Sequence, residues 1–436
     1  MNTQSKPRLT GRTARDKRPV RLATALVAGA LVACVGPYAV TASAAATSRS
    51  SAPRATTTSG SYVAVTPARL TDTRPNSGQT NAGKAIAAGA TLTVQVTGKG
   101  NVATGASAAV LNVTAVDPTA AGFLTVFPSG TTMPVVSNLN FTPGAVVANL
   151  VTVPVSASGA VSIYNSAGST NVVVDVDGYY MGSAAANGSG LYNPVSPTRV
   201  LGSLQAGQPI GPGAATAVTV ASASPTDNVP ATATAVVLNV TSSQASAASF
   251  LTVYPAGVAR PLASNVNFTA GETVANRVTV GVGTGGQIEV FNGAGTARVD
   301  VDVSGYYTGS GGTGSVFVPI TPIRITDTRS RTNGTPIAAN SSERFALAGG
   351  SIPSSAIAVA ANFTVVAGSA AGYLTVYPAS DAQAPVASDV NWLPRGVVPN
   401  LTLADTSGSG GVEVYNSQGA AVDVVIDAFG YFATAP

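Results

Sequence analysis

The sequence predicts an all-β protein: three tandem antiparallel β-sandwich domains, jelly-roll-like, behind an N-terminal signal segment. The stretch Gly122–Pro128 (Gly-Phe-Leu-Thr-Val-Phe-Pro) returns as Ser249–Pro255 (Ser-Phe-Leu-Thr-Val-Tyr-Pro) and as Gly372–Pro378 (Gly-Tyr-Leu-Thr-Val-Tyr-Pro). A short motif recurring at such long spacing marks tandem domains rather than a solenoid of small units. The composition is that of a turn-rich β protein: of 436 residues 47 are Gly and 28 Pro, and only 9% are charged. Helical periodicity is absent beyond the signal. Closed β-barrels are the alternative architecture, and a β-trefoil is disfavoured because its three repeats would fill only one of these units.

The N-terminus is read first as an export segment. Basic residues run into an apolar stretch at 22–35, expected to be helical and too short for a comfortable membrane span. Pro37 breaks it, and Ala42-Ser43-Ala44 offers small residues to a signal peptidase, so 1–44 reads as a secretory signal. A rival reading lies inside it: Leu31-Val32-Ala33-Cys34 resembles a bacterial lipobox, which would make Cys34 a lipidated first residue. Residues 45–60 read as a Ser/Thr/Ala-rich linker.

Three domains follow, at 61–182, 191–309 and 316–436, joined by Gly/Ser/Ala-rich stretches at 183–190 and 310–315 that read as flexible linkers. In the first, strands are expected at 62–65, 91–97, 109–116, 123–127, 138–141, 147–154, 160–164 and 171–180. Asn165-Ser166-Ala167-Gly168 is a turn between the last two, matched by Asn292-Gly293-Ala294-Gly295 and Asn416-Ser417-Gln418-Gly419.

Composition also excludes chemistries. The chain has no His, which removes a His-based triad, a His general base and His-ligated metal sites. Its single Cys allows no intramolecular disulfide. The formal charge of +4 comes from the leader: without the first 44 residues, 15 basic residues stand against 17 acidic ones, net −2. No basic surface is left to argue for nucleic acid, and no cofactor motif is present.

With three copies in one chain, each serves as a comparison for the others. The first strands carry Pro67-Ala68-Arg69, Pro197-Thr198-Arg199 and Pro322-Ile323-Arg324. Copies one and three continue to Asp72-Thr73-Arg74 and Asp327-Thr328-Arg329, whereas the second has Gly202-Ser203-Leu204. A local ion pair is the plain reading of Asp72/Arg74 and Asp327/Arg329; recognition of a carboxylate or sugar by the Arg fork is the sharper one. In the closing strands Asp175, Asp302 and Asp427 coincide, while neighbouring acids do not, which disfavours a repeated metal or hydrolytic carboxylate pair. Arg69 is therefore expected to pair with Asp175, Arg199 with Asp302 and Arg324 with Asp427, tying first strand to last. Recurrent Asn112/Asn239/Asn362, Asn140/Asn267/Asn391 and Asn149/Asn276/Asn400 are expected to satisfy loop backbone.

Alternation puts Leu124 and Val126 on one face of the central strand and Phe123, Thr125 and Phe127 on the other. The aromatic face, with Phe250/Tyr254 and Tyr373/Tyr377 in the other copies, is a candidate platform for sugar rings if it is exposed, and core or a strand neighbour covers it otherwise. Tyr179-Tyr180, Tyr306-Tyr307 and Tyr431-Phe432 are further aromatic candidates.

Thr66-Pro67-x-Arg69-Leu70-x-Asp72-Thr73-Arg74, Leu111-Asn112-Val113-Thr114, Gly122–Pro128, Ser137-Asn138-Leu139-Asn140-Phe141 and Val174-Asp175-x-x-Gly178-Tyr179-Tyr180 together resemble a tandem β repeat of actinobacterial secreted and cell-surface proteins. The resemblance implies an accessory module, also found beside wall hydrolases, with no catalytic residues to carry over. The functional expectation is a non-enzymatic exported protein engaging cell wall or another extracellular polymer, such as carbohydrate, through multivalent modules. A purely structural or adhesive surface protein and a carboxylate-dependent hydrolase are the alternatives.

Overall fold

The computed structural model describes residues 59–202, 207–223, 228–330, 335–407, 409–417 and 419–436. The signal segment, the linker up to residue 58, Cys34, Ser203, Leu204 and Gln418 lie outside the described residues. The first repeat is built from β1 (Tyr62–Asp72), β2 (Thr91–Gln95), β3 (Ala106–Val116), β4 (Gly122–Pro128), β5 (Leu139–Phe141), β6 (Val146–Pro154), β7 (Ala160–Asn165) and β8 (Asn171–Met181). The second follows with β9 (Tyr192–Gly202), β10 (Ala215–Thr219), β11 (Ala235–Ser243), β12 (Ser249–Pro255), β13 (Val266–Phe268), β14 (Val274–Gly281), β15 (Gln287–Asn292) and β16 (Arg298–Tyr307). The third comprises β17 (Ser315–Asp327), β18 (Ser341–Ala346), β19 (Ala358–Val366), β20 (Gly372–Pro378), β21 (Val390–Trp392), β22 (Val397–Asp405), β23 (Gly411–Asn416) and β24 (Asp423–Thr434).

Each repeat is an antiparallel sandwich of two four-stranded layers, in the order β1-β8-β3-β6 facing β2-β7-β4-β5 in the first. Eight strands shared between two sheets in this order make a jelly roll. The closed-barrel alternative does not hold, because the two layers are not hydrogen-bonded into a ring. Side-chain alternation fills the space between layers: Leu124, Val126, Val161 and Ile163 from one sheet meet Leu111, Val113, Val172, Val174 and Val176 from the other. The first strand is longer than the 62–65 expected, because bulges near Ala64/Ala68 and Arg69/Thr71 carry it through Pro67 to Asp72.

The inner strands of the first-layer sheets, β3, β8, β11, β19 and β24, are buried on both faces over most of their length. Their second faces pack against one another across the three repeats, around a shared aromatic cluster of Tyr62, Tyr180, Tyr192, Tyr307, Phe317 and Phe432. Two rings come from each repeat, one from its first strand and one from its last. Tyr62 stacks on Tyr307 at 4.2 Å and Phe317 on Tyr180 at 4.4 Å, while the Tyr180 and Tyr307 hydroxyls share a 2.6 Å hydrogen bond. This explains the Gly before each closing aromatic pair: a Cβ at Gly178, Gly305 or Gly430 would collide with the ring of Tyr62, Tyr192 or Phe317.

Backbone pairing joins the repeats as well. The second and third first-layer sheets merge into eight strands through Tyr192 and Ser315, and Gly60 bridges Phe317. The joints expected as flexible linkers are seated: Gly311 N donates to Asn187 O at 2.7 Å, and Gly190 N to Thr308 O at 2.8 Å. Among the described residues no helix is long and apolar enough to cross a membrane.

Candidate functional site

The structure joins each recurrent Arg to its Asp. Arg69 grips Asp175 with Nε to Oδ1 at 2.8 Å and Nη2 to Oδ2 at 3.0 Å. Arg199–Asp302 and Arg324–Asp427 repeat this bidentate geometry at the same two distances. The residues are direct partners across the first and last strands. Burial pushes the Asp175, Asp302 and Asp427 carboxyls above the usual range, and the Arg bonds offset this only in part.

These pairs also mark where one repeat receives the next. Ser264 N, from the loop before β13, donates to Asp175, and Ser137 N, from the loop before β5, donates to Asp427 at 3.5 Å. Beside them, Asn112 Nδ2 donates to Ser264 O, Asn239 to Ser388 O and Asn362 to Ser137 O. A second set closes the ring. Asn149, Asn276 and Asn400 each donate to the Oδ1 of Asn362, Asn112 and Asn239 at 2.9 Å, and to a carbonyl of their own loop. The recurrent Asn112 and Asn149 classes thus satisfy loop backbone as expected of them, the Asn112 class across repeat boundaries and the Asn149 class within its own repeat while its side chain bonds the next.

Asp72 is clamped between two guanidinium groups, Arg74 Nη2 at 2.6 Å and Arg69 Nη1 at 3.3 Å. Burial pushes this carboxyl up, yet the Arg74 hydrogen bonds prevail and hold it below the usual range. Asp327 is likewise lowered by Arg329 and lies 3.6 Å from Arg324. The second repeat lacks this acid on its first strand but supplies it from the last: Arg199 Nη1 meets Asp300 Oδ2 at 3.3 Å. Asp72 faces Val173 across the ladder, and Gly202 faces Asp300, so the carboxylate has exchanged strands at one register position. Every repeat keeps an Arg between two acids. Arg69, Asp72, Arg74, Pro75, Asn76, Ser77 and Gln79 line an open cleft of about 350 Å³ that Leu262 of the second repeat completes.

The aromatic face of the central strand divides in two. Thr125, Thr252 and Thr375 are fully buried, their hydroxyls donating to Val136 O, Ala263 O and Ala387 O of the following loop. That loop crosses the sheet, so Phe127, Tyr254 and Tyr377 are buried, contrary to an open platform along the whole strand. The other half stays accessible. Phe123, Phe250 and Tyr373 each lean on a second ring from the neighbouring strand: Tyr164 at 6.3 Å, Phe291 at 6.1 Å and Tyr415 at 6.5 Å. The rings are tilted by 44–55°, and Tyr373 is 39% exposed. Tyr180, Tyr307 and Phe432 are excluded from ligand contact by the central cluster, while Tyr179 is buried in its sandwich and Tyr306 and Tyr431 pack against theirs.

No family model matches the chain, and no curated protein matches it. Among solved structures, "The Triple Jelly Roll Fold and Turret Assembly in an Archaeal Virus" aligns with 86% of this chain and 91% of that one, at 7% identity and a TM-score of 0.17. A superposition that loose carries no argument. The jelly-roll assignment rests on strand order.

Three features lay beyond sequence reasoning. Tyr164, Phe291 and Tyr415 complete the ring pairs; each immediately precedes a recurrent turn Asn, and that position was the available signal. Asp300 required the cross-strand register. Arg277 and Asp389 form a buried ion pair between repeats two and three, where the first repeat has Leu150 and Asn138. Arg277 is 1% exposed, and its guanidinium also donates to Leu401 O, Ser304 Oγ and Thr402 Oγ1.

Proposed function

We propose that this is an exported, non-enzymatic protein that holds extracellular polymer, wall glycan or another carbohydrate, at equivalent surfaces on its three sandwiches. The observation that carries the reading is the outward ring pair, aromatic at all six positions, on a layer whose other face already packs the core. Rings left at a surface offer apolar area to the flat faces of sugars while polar neighbours meet their hydroxyls. The resemblance to actinobacterial surface repeats and the basic, apolar leader with its Ala-Ser-Ala stretch support export. Asp72 and Asp327 are each committed to two guanidinium groups, which favours binding over carboxylate-dependent hydrolysis.

Avidity here does not depend on linkers. Three sites on one frame present a fixed spacing, so a polymer that spans two of them gains effective concentration without added chain entropy. The test is sedimentation of the protein with purified cell wall and insoluble polysaccharides, beside a variant with Phe123, Phe250 and Tyr373 all changed to Ala. Retention of the native chain and at least tenfold weaker retention of the variant are expected. Equal retention of both, or none of either, would sink the proposal and leave a structural or adhesive role.

A further inference from the structure

The three ring pairs are not equally available, and the residue that decides this stands before a Pro in the loop crossing each outer sheet. In the second repeat it is Arg260, whose guanidinium carbon lies 4.1 Å over the centroid of Phe291. The chain itself thus stacks a planar group on the ring that a ligand would use. The corresponding residues are Met133 in the first repeat and Ala384 in the third, whose side chain ends at Cβ and is too short to cover a ring. The third repeat also differs in chemistry: both rings of its pair are tyrosines, against Phe123/Tyr164 and Phe250/Phe291. Around them, the Ser342 and Tyr377 hydroxyls are joined at 2.8 Å, and Arg344 faces Glu413 across the β18–β23 ladder.

We propose that the outer sheet of the third repeat is the principal binding site, and that its ligand is a neutral glycan chain held on Tyr373 and Tyr415. This rests on the polymer-binding reading above and narrows it to one repeat and one ligand class. On the ladder that carries Tyr415, the cation Arg344 stands opposite the anion Glu413, a balanced pair that matches a ligand without net charge. Hydroxyls of Tyr373, Tyr415 and Ser342 are of the kind that sugar hydroxyls meet as both donor and acceptor. The 55° between the two rings turns one stacking plane against the next. Such a surface suits a single twisted chain in solution better than the flat face of a crystalline polymer. Phe291 is masked by Arg260, which is the chain's own competitor for that ring.

The test titrates the full chain with soluble hexamers of glucose and of N-acetylglucosamine, and with a hexamer of galacturonic acid as the anionic comparison. Binding of a neutral hexamer is expected, weakened at least tenfold in Tyr373→Ala and in Tyr415→Ala. Tyr373→Phe, which keeps the ring, is expected to lose less. Phe123→Ala and Phe250→Ala should change hexamer affinity less than twofold, because the third repeat binds a short chain first, and Arg260→Ala should strengthen the weaker binding at the second repeat by uncovering Phe291. Unchanged melting temperatures guard against misfolding. If the native chain binds but both tyrosine variants bind equally well, the assignment to the third repeat fails while polymer binding stands. Preference for the galacturonic acid hexamer overturns the ligand class. No binding of any hexamer overturns the inference, and retention on wall then decides the broader reading separately.

Discussion

Asp177 lies 1% exposed beside the ring of Tyr62, and neither of its carboxyl oxygens has a hydrogen-bond partner among the described residues. Burial, and then the nearby Asp175 charge, push it well above the usual carboxylate range. The other repeats place Ser304 and Phe429 at this position, so the strand tolerates a small polar group or a ring there. With the folded pKa raised, the native state keeps a proton that the unfolded chain releases as pH rises past about 4. Stability contributed by the neutral acid is therefore full below the unfolded pKa and declines as pH climbs towards the folded one. Asp177→Asn should flatten this decline. Melting temperatures from pH 4 to 9 are expected to fall more steeply for the native protein than for the variant, and parallel curves would show that Asp177 titrates normally.

At the scale of elements, the junction between β14 and the loop before β21 differs from its two counterparts. Leu150 and Leu401 occupy the place of Arg277, and Asn265 and Asn138 that of Asp389. Both members of the pair changed together. A buried charge is tolerable only with its partner, because desolvation of one ion alone costs several kcal/mol. Arg277→Leu alone should destabilise by about 3–5 kcal/mol, as should Asp389→Asn alone. The double variant, which restores the pattern of the other junctions, should recover most of that loss. Denaturant midpoints in a double-mutant cycle measure it, and additive losses would mean that the pair does not act as a unit. The charged junction distinguishes the contact of repeat two with repeat three from the other two contacts.

For the whole molecule, the shared aromatic cluster makes three sandwiches one folding unit. Phe317 belongs to the third repeat yet stacks on Tyr180 of the first and lies 5.3 Å from Phe432. Calorimetry should therefore show a single cooperative transition rather than three. Phe317→Ala should shift that transition as a whole, by about 3–5 kcal/mol, with contributions lost in two repeats at once. A separate transition for the first repeat that is indifferent to Phe317 would contradict a common core. A single frame also fixes the distances between the three outer ring pairs, which is what gives multivalent contact its geometry.

Much of this was legible in the residues themselves. Alternation in Gly122–Pro128 placed Leu124 and Val126 in the core, and the survival of one Arg and one Asp in every copy identified Arg69–Asp175 and its equivalents. Local periodicity decides such features, because a strand sorts its side chains by parity whatever surrounds it. What lies beyond the second face could not be read that way. Asn112, Asn149 and Asp175 look like residues of a solvated sheet surface, yet they are buried because neighbouring repeats supply backbone partners for them: Ser264 for Asn112 and Asp175, and Leu401 N for Asn149. The same holds for Asp300, which replaces Asp72 only through the register of two strands far apart in the chain. Strand parity and the recurrence of residues were enough to give the sandwich, its repetition and its internal ion pair. The common aromatic core of the three copies, and the loop that closes half of each aromatic face, emerge only in the folded chain, because both depend on contacts between segments whose separation in sequence carries no period.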